Sequence, residues 1–370
     1  MALAIYRKYR PKKLEDLLGQ EHIVTILQNA AKQERLSHAY LFYGPRGTGK
    51  TTAARLVAKL ANCATREKDK NFREKGESCN RCDRCAAIDN GQALDVVEID
   101  AASNRGIDEI RALKEGVKLS PTSYPYKVII IDETHMLTRD AFNALLKTLE
   151  EPPAHAILIL ATTEYEKVPA TISSRCQRFH FHKLAIDQII KKLQIISKAE
   201  KFKITEDAIE LIAAIAEGSL RDAESVLGQM TSLAEEVSAE TVEKTLGQVG
   251  FTRIAKLADH ILKNDLKGAL EYLAKIQEGG HNLVDLAKEL IHYFRRILSL
   301  RMDTGLEVLF KKEFTGKEME QLKAHGAAIV PQKHIAFIKS LIRAYSEMRY
   351  SPFAVVPLEI AIIENLQNSG

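Results

Sequence analysis

The chain has 370 residues, 45% of them apolar and 28% charged, enough to bury more than one core and too long for one ordinary domain, which excludes a mini-protein and a disordered tail. Lys and Arg total 53 against 49 Asp and Glu, a formal net charge of +4. That balance identifies no nucleic-acid binder, so any such surface must be local. The chain has no run approaching the roughly 18 to 20 apolar residues that cross a bilayer, and MALAIYRKYRPKKL turns to charge after six residues, without the apolar stretch of a secretory signal. A cytoplasmic protein with no membrane contact is the expectation.

The first 180 residues alternate strand and helix patterns. HAYLFY (38–43), LDVVEID (94–100), KVIIID (127–132) and HAILILATT (155–163) are short, β-branched or aromatic and nearly continuous in apolar character, as strands buried on both faces are. TTAARLVAKLANC, GIDEIRALKEGV and RDAFNALLKTLE carry apolar residues at helical spacings between them, which predicts a parallel α/β sheet with right-handed crossovers. After residue 180 the strand signal disappears. TEDAIELIAAIAEG reads as a helix capped by Thr205 and closed by Gly218, and SLRDAESVLGQM restarts with Ser219 as the next cap. From about residue 244, RIAKLADHILKN, LKGALEYLAKIQ, NLVDLAKELIHYFRRILSL, KEMEQLKAHGAAI and QKHIAFIKSLIRAYSEMRY read as amphipathic helices, punctuated by Gly279, Gly280, Pro331, Pro352 and Pro357.

GPRGTGKT, residues 44–51, fits the P-loop pattern G-x-x-x-x-G-K-[ST]. Gly44, Gly47 and Gly49, with Pro45, Arg46 and Thr48, form a loop whose backbone N–H groups can cradle phosphates. Lys50 meets the β and γ oxygens, Thr51 offers its hydroxyl to Mg²⁺, and Thr52 continues the helix N-terminus. A buried strand runs into this loop and a helix leaves it, which is the context the motif needs. The strand VIIID delivers Asp132 and Glu133 at its tip; beside a P-loop, Asp132 would hold Mg²⁺ directly or through water and Glu133 would polarise the attacking water.

Four of the five cysteines, Cys63, Cys79, Cys82 and Cys85, give C-x15-C-x2-C-x2-C. Four thiolates suit a structural tetrahedral Zn²⁺ and leave no open position for catalysis; an iron–sulfur cluster takes the same ligands, and spacing alone does not separate the two. Cys63 would come from the end of the helix after the P-loop, with the polar segment 64–78 looping out before the other three ligands.

The conjunction of YRKYRPKKLEDLLGQEHI, GPRGTGKT, the four-cysteine insertion, VIIIDETHML, FNALLKTLEEPP, LATTE, SSRC and GSLRDA resembles the AAA+ ATPases, and among them the gamma/tau family of clamp-loader subunits of bacterial DNA polymerase III. The resemblance is specific over residues 1 to about 230; beyond that it is one of helical pattern. It implies an AAA+ module over 1–178 with a zinc module at 63–85, a helical lid over 179–243 and a helical collar for oligomerisation over 244–370.

The resemblance also assigns roles. Thr163 in LATTE corresponds to the sensor-one residue and Arg175 in SSRC to an arginine finger that completes a neighbouring subunit's site. Arg221 corresponds to the sensor-two arginine of the lid, and Tyr6, Arg10 and Pro11 to a segment beside the adenine. DETH departs from the Ala or Val usual at its third position and leaves both acids intact. Primed DNA is held in such assemblies through its phosphates, with Arg105 and Arg139 at helix starts as candidates here. The implied cofactors are ATP, Mg²⁺ and structural Zn²⁺. The implied partners are the delta and delta-prime subunits, further copies of the chain, the sliding clamp, primed DNA and, indirectly, single-stranded-DNA-binding protein. The chain would load the clamp at the replisome as part of the polymerase holoenzyme without itself polymerising. A non-hydrolysing delta-prime-like subunit and a branch-migration helicase are the competing readings; the intact P-loop and acidic pair disfavour the first, and the four-cysteine insertion the second.

Overall fold

Five parallel strands form one sheet: β1 (Ala39–Tyr43), β2 (Val96–Asp100), β3 (Lys127–Asp132), β4 (Ala156–Thr162) and β5 (Gln177–His180), in the spatial order β2-β3-β4-β1-β5. The computed structural model describes residues 3–104, 106–246, 250–310 and 313–367, so Arg105 lies outside the described residues. Two compact units are present, one of residues 1–184 with 219–222 and the other of 185–218 with 223–370.

Alternation along the strands explains why the first unit needs helices on both sides of the sheet. Tyr40, Phe42, Val128, Ile130, Ile157 and Ile159 point to one face and pack with Ile23 and Leu27 of helix α1 (Glu21–Lys32) and with Ala53, Leu56 and Val57 of α2 (Lys50–Asn62). Leu41, Ile129, Ile131, Leu158 and Leu160 point to the other face, against Ile110 and Val117 of α3 (Ile107–Lys118) and Ala141, Phe142 and Leu145 of α4 (Arg139–Glu150). β3 and β4 are the buried pair in the middle, and every residue of β4 is buried.

Two strands differ from the sequence expectation. β2 is an edge strand and none of its residues is fully buried, because pairing on one side only leaves its other edge to solvent. β5, QRFH, carries no apolar run; it buries Phe179 alone and gains its place by pairing Tyr40–Tyr43 with Gln177–His180. The segment after Cys63 is not an open loop either, since Ala64–Lys68 and Lys70–Arg73 form two short helices.

In the second unit, α5 (Ile186–Glu200), α6 (Glu206–Ile215), α7 (Leu220–Leu233, of which 220–222 count with the first unit) and α8 (Ala239–Leu246) come first. Thr205 caps α6 by accepting from the Ala208 N–H at 3.3 Å, as its position before the apolar run requires. A two-residue parallel ladder, Lys203–Ile204 with Glu236–Val237, ties this group together, a strand signal too short to show in the sequence. Then follow α9 (Phe251–Leu262), α10 (Leu266–Glu278), α11 (Leu283–Met302), α12 (Gly316–Ala328), α13 (Pro331–Met348) and α14 (Val355–Gln367). These share one core that includes Leu257, Leu273, Leu290, Phe294, Leu322, Phe337, Leu341 and Ile362. Pro331 starts α13 at a position that needs no N–H donor, and Pro357 lies in the first turn of α14, so neither proline breaks a helix.

Candidate active site and metal centre

The strand order sets up the site. β4 lies between β1 and β3, so the loop after β1, the residue after β4 and the acids at the end of β3 come side by side at the C-terminal edge of the sheet, where parallel α/β folds bind ligands. Tyr43 is opposite Thr162 and Ile131 opposite Leu160.

The loop from Gly44 to Gly49 depends on left-handed backbone at Gly44, Gly47 and Gly49, with φ of 139°, 72° and 103°. Space demands glycine as well as φ at two of them. A Cβ on Gly44 would meet the Phe181 carbonyl oxygen at 2.2 Å, and one on Gly47 the Ser219 Oγ at 1.9 Å. Thr48 closes the loop by donating from Oγ1 to the Pro45 carbonyl at 2.8 Å. Pro45 is half-buried, Arg46 is exposed, and Thr51 and Thr52 are half-buried in the first turn of α2. That turn presents its unpaired N–H groups and the positive end of the helix dipole to the loop.

Lys50 is 6% exposed. Its ammonium donates to the carbonyls of Gly44 at 2.8 Å and Pro45 at 2.7 Å. Burial pushes its pKa down to about 8 against the opposing pull of Glu133 and Asp132. Thr51 Oγ1 donates to Asp132 Oδ2 at 2.6 Å, so the two residues expected to share Mg²⁺ are in contact. Both are hard oxygen donors of the kind Mg²⁺ takes.

Glu133 takes the left-handed conformation, φ 47°, and its N–H donates to Asp132 Oδ1 at 2.9 Å. Such a backbone is strained for a non-glycine residue and tends to persist where neighbours hold it. Here Thr163 Oγ1 donates to Glu133 Oε2 at 3.1 Å, and Thr134 anchors the turn by donating to the carbonyls of Ile131 and Ala161. Thr163 sits one residue beyond the end of β4 and touches the candidate base. His135, not singled out in the sequence, belongs to the same group: its Nδ1 is 3.0 Å from Thr162 Oγ1 and 3.4 Å from Glu133 Oε2, and its Nε2 is 3.1 Å from Glu164 Oε1.

A cluster of guanidinium groups completes the surroundings. Arg221 lies over the Tyr6 ring with 5.0 Å to its centroid. Arg10 is partly buried, and its pKa is lowered first by that burial and then by the charge of Arg55, with Arg221 and Arg7 adding to the effect and Glu98 opposing it. Arg55 pairs with Glu98 at 2.6 Å. Pro11 is half-buried in the same segment. Cations gathered in this way repel one another, and a polyanion between them would relieve the repulsion.

Arg175 donates to the Thr171 carbonyl at 2.7 Å and pairs with Glu150 at 2.7 Å. Neither partner belongs to the loop of its own chain. Arg139 is exposed at the first position of α4, one residue after the Thr138 cap.

Sulfur atoms of Cys63, Cys79, Cys82 and Cys85 all lie within 4.8 Å of one another. Cys63 is the residue that ends α2, and Cys82 and Cys85 sit at and just inside the start of the helix Asp83–Asp89. A hydrogen bond from Cys85 holds the Cys63 thiol down at about 4, while the Cys85 thiol is driven up. Four thiolates this close repel one another, so full ionisation of the set needs a cation between them. The donor set fits a four-coordinate Zn²⁺ with no position left for substrate. Cys176, the fifth cysteine, is buried apart from this set and its thiol is pushed up to about 12 by burial, which makes it an unreactive core residue.

Comparison with known proteins covers the chain almost end to end. Residues 19–185 match the family described as DNA polymerase III, delta subunit. Residues 188–236 match the DNA polymerase III clamp loader subunit ATPase lid domain, and residues 237–368 match domain III of DNA polymerase III subunits gamma and tau. DNA polymerase III subunit tau of Bacillus subtilis is 42% identical over 367 residues, which is 99% of this chain and 63% of that protein. DNA polymerase III subunit gamma of Buchnera aphidicola from Acyrthosiphon pisum is 34% identical over 358 residues, 96% of each chain. Among solved structures, the Bacillus subtilis DNA clamp loader delta protein aligns over 93% of this chain and 99% of its own at 13% identity, with a TM-score of 0.44, too distant to carry an argument. The chain spans less than two thirds of the Bacillus relative. Similarity along nearly the whole length of a gamma subunit, together with the lid and gamma/tau models, places this chain in the gamma/tau family of DNA polymerase III subunits.

Proposed function

We propose that the chain is an AAA+ ATPase subunit of a bacterial clamp loader: ATP binding organises a ring-like assembly that opens the sliding clamp, primed DNA triggers hydrolysis, and hydrolysis releases the closed clamp on DNA. The observation that carries this is the meeting of Lys50, Thr51, Asp132, Glu133 and Thr163 at the tips of three adjacent strands, beside a cluster of arginines.

In this scheme the loop from Gly44 to Thr52 cradles the phosphates with its backbone, and Lys50 gives up its two carbonyl partners for the β and γ oxygens. Thr51 and Asp132 hold Mg²⁺, which supplies neutralisation of developing phosphate charge. Glu133, oriented by Thr163, polarises the attacking water. Arg221 contacts the nucleotide from the lid side, and Tyr6, Arg10 and Pro11 line the adenine. Arg175 acts on a neighbour's site; freeing it from Glu150 is part of assembly, and a finger supplied in trans is worth roughly 10³ to 10⁵ in rate. A lone chain therefore hydrolyses slowly.

The four cysteines hold structural Zn²⁺, and the chain forms no phosphodiester bond itself. Its partners are delta, delta-prime, further copies of itself, the clamp and primed DNA, with Arg139 and Arg105 toward DNA phosphates and single-stranded-DNA-binding protein met indirectly. The division at 243 between lid and collar is supported by a core over α9 to α14 that holds none of the described residues before 251; the division at 178 between ATPase module and lid is part of the proposal, six residues before the boundary of the first compact unit at 184. Membership of a bacterial DNA polymerase III family favours the bacterial cytoplasm.

DNA-stimulated ATP hydrolysis in a loader reconstituted with Lys50→Ala or Arg175→Ala is the test. Both variants are expected to lose turnover, Lys50→Ala through binding and Arg175→Ala with nucleotide affinity of the isolated chain retained. Full activity in both would end the proposal.

A further inference from the structure

Two side chains that no metal requires, Glu77 of the four-cysteine insertion and Lys59 of the P-loop helix, tie the insertion to the N-terminal segment. Glu77, two residues before Cys79, reaches across to the N-terminal segment. Its carboxylate accepts from the backbone N–H groups of Leu14 at 3.0 Å and Glu15 at 3.1 Å, and from Gln28 Nε2 of α1 at 2.9 Å. Those two amides open the single turn Leu14–Asp16, where a helix has no carbonyl of its own to offer them. Leu17 ends that turn, and its Cδ2 lies 3.4 Å from where a Cβ on Gly49 would stand. A carboxylate from the insertion thus fixes the stretch that packs on the P-loop.

Lys59 makes the second tie. It lies on α2, nine residues after Lys50, and is fully buried. Its ammonium donates to the Lys12 carbonyl at 3.0 Å, Asn80 Oδ1 at 2.6 Å and Asp89 at 2.9 Å. One cation therefore joins the N-terminal segment, the turn between Cys79 and Cys82, and the end of the helix that carries Cys85. A buried ammonium is retained only where all its donors are satisfied, and two of these three partners stand in place only while the cysteine module is folded. Gly76 lets the insertion come this close, since a Cβ there would meet the Gln28 carbonyl oxygen at 2.7 Å.

We infer that the cysteine module is a positioning element of the nucleotide site, with Glu77 and Lys59 clamping residues 6–17 against the P-loop helix, so that loss of the module's fold loosens Tyr6, Arg10 and Leu17 and weakens nucleotide binding. The inference rests on the ATP-binding assignment above. Tyr6 and Arg10 lie at the upstream end of this segment and face Arg221 and Arg55, so slack at residues 12–15 is transmitted to the groups nearest the bound base.

The test uses the full chain in three forms: wild type, wild type stripped of metal by chelation, and Glu77→Ala. Amide hydrogen exchange over residues 6–17 and the Kd for ATP with Mg²⁺ are measured in each. Glu77→Ala is expected to speed exchange at Leu14 to Leu17 and to weaken binding by about tenfold, while the maximal ATPase rate of the reconstituted loader at saturating ATP stays within about twofold. Glu77→Gln, whose single carbonyl oxygen can replace only one of the two that accept from Leu14 and Glu15, is expected to fall between wild type and Glu77→Ala. Chelation is expected to reproduce both changes and to add less to Glu77→Ala than it does to wild type, as two breaks in one linkage do. Unchanged Kd after chelation overturns the inference, with no need for a variant that folds. So does faster exchange in Glu77→Ala with unchanged Kd. A wild-type Kd no tighter than that of Lys50→Ala would instead sink the ATP-binding assignment, and the exchange data would still show whether the clamp holds.

Discussion

Replacing Lys50 by Met is expected to stabilise the nucleotide-free protein while destroying its function. Burial holds the Lys50 ammonium at a pKa of about 8 rather than the ordinary 10.5, and that gap corresponds to about 3 kcal/mol withheld from folding at pH 7. Met matches the length of the stem and carries no charge. Against the gain stands the loss of hydrogen bonds to the Gly44 and Pro45 carbonyls, about 1 kcal/mol each. The net is a stabilisation of about 1 kcal/mol, or roughly 2 to 4 °C in Tm for a unit of this size.

The pH dependence gives a sharper signature than the size. A lysine whose folded pKa is depressed costs stability in full below about 8, and the cost fades as pH rises toward 10.5, because the unfolded chain alone then binds the proton. Wild type should therefore gain on Lys50→Met between pH 8 and 10.5, by about 1.4 kcal/mol per pH unit at first, and the order of the two should reverse at about pH 9. Urea titrations of both proteins at pH 7, 8.5 and 10 would show it. A stability gap constant across that range would refute the argument that burial, and not the loop's hydrogen bonds, dominates at Lys50.

Glu133→Gln is expected to bind ATP with near wild-type Kd and to lose hydrolysis by at least about 10²-fold in the reconstituted loader, since the amide keeps an acceptor for Thr163 but cannot polarise water as a carboxylate does; an unchanged turnover number would remove Glu133 from its role. Elemental analysis should find one zinc per chain, falling in Cys82→Ser together with thermal stability, and iron in its place would correct the metal. Phe294 is fully buried, edge-on to Phe337 at 4.9 Å and stacked on His334, so Phe294→Ala should cost about 3 to 5 kcal/mol in urea unfolding of the α9 to α14 bundle; a loss below 1 kcal/mol would mean that this core tolerates collapse around the cavity.

Much of the site could be read from the residues because each part is local. GPRGTGKT and the acids after VIIID are contiguous, and a P-loop or a strand tip needs no distant partner to be recognised. The strands β1, β3 and β4 were legible from unbroken apolar runs, since burial on both faces leaves no room for polar residues. β5 was not, because an edge strand with one buried phenylalanine has no periodic signature. The contacts that organise the site are long-range and left no pattern: Thr163 on Glu133, Arg221 over Tyr6, and Glu77 on the Leu14 and Glu15 amides join residues 30 to more than 200 positions apart. His135 could have been picked out as a titratable group following two acids, but its link to Glu164 exists only through the sheet.

The strand order also dictates when this site can come into being. β1 leads into the P-loop near the start of the chain, yet its neighbours are β4 and β5, with Ala39 opposite Leu158 and Tyr43 opposite His180. During synthesis the strand that presents Lys50 has no partner until more than a hundred further residues have left the ribosome. Closing so long a loop is entropically slow, and Tyr40, Leu41 and Phe42 remain an unpaired apolar edge for that interval. A nascent chain halted before β4 would expose that edge and lack the proposed ATP site, which is among the last parts of its unit to form although its signature motif is among the first to be translated.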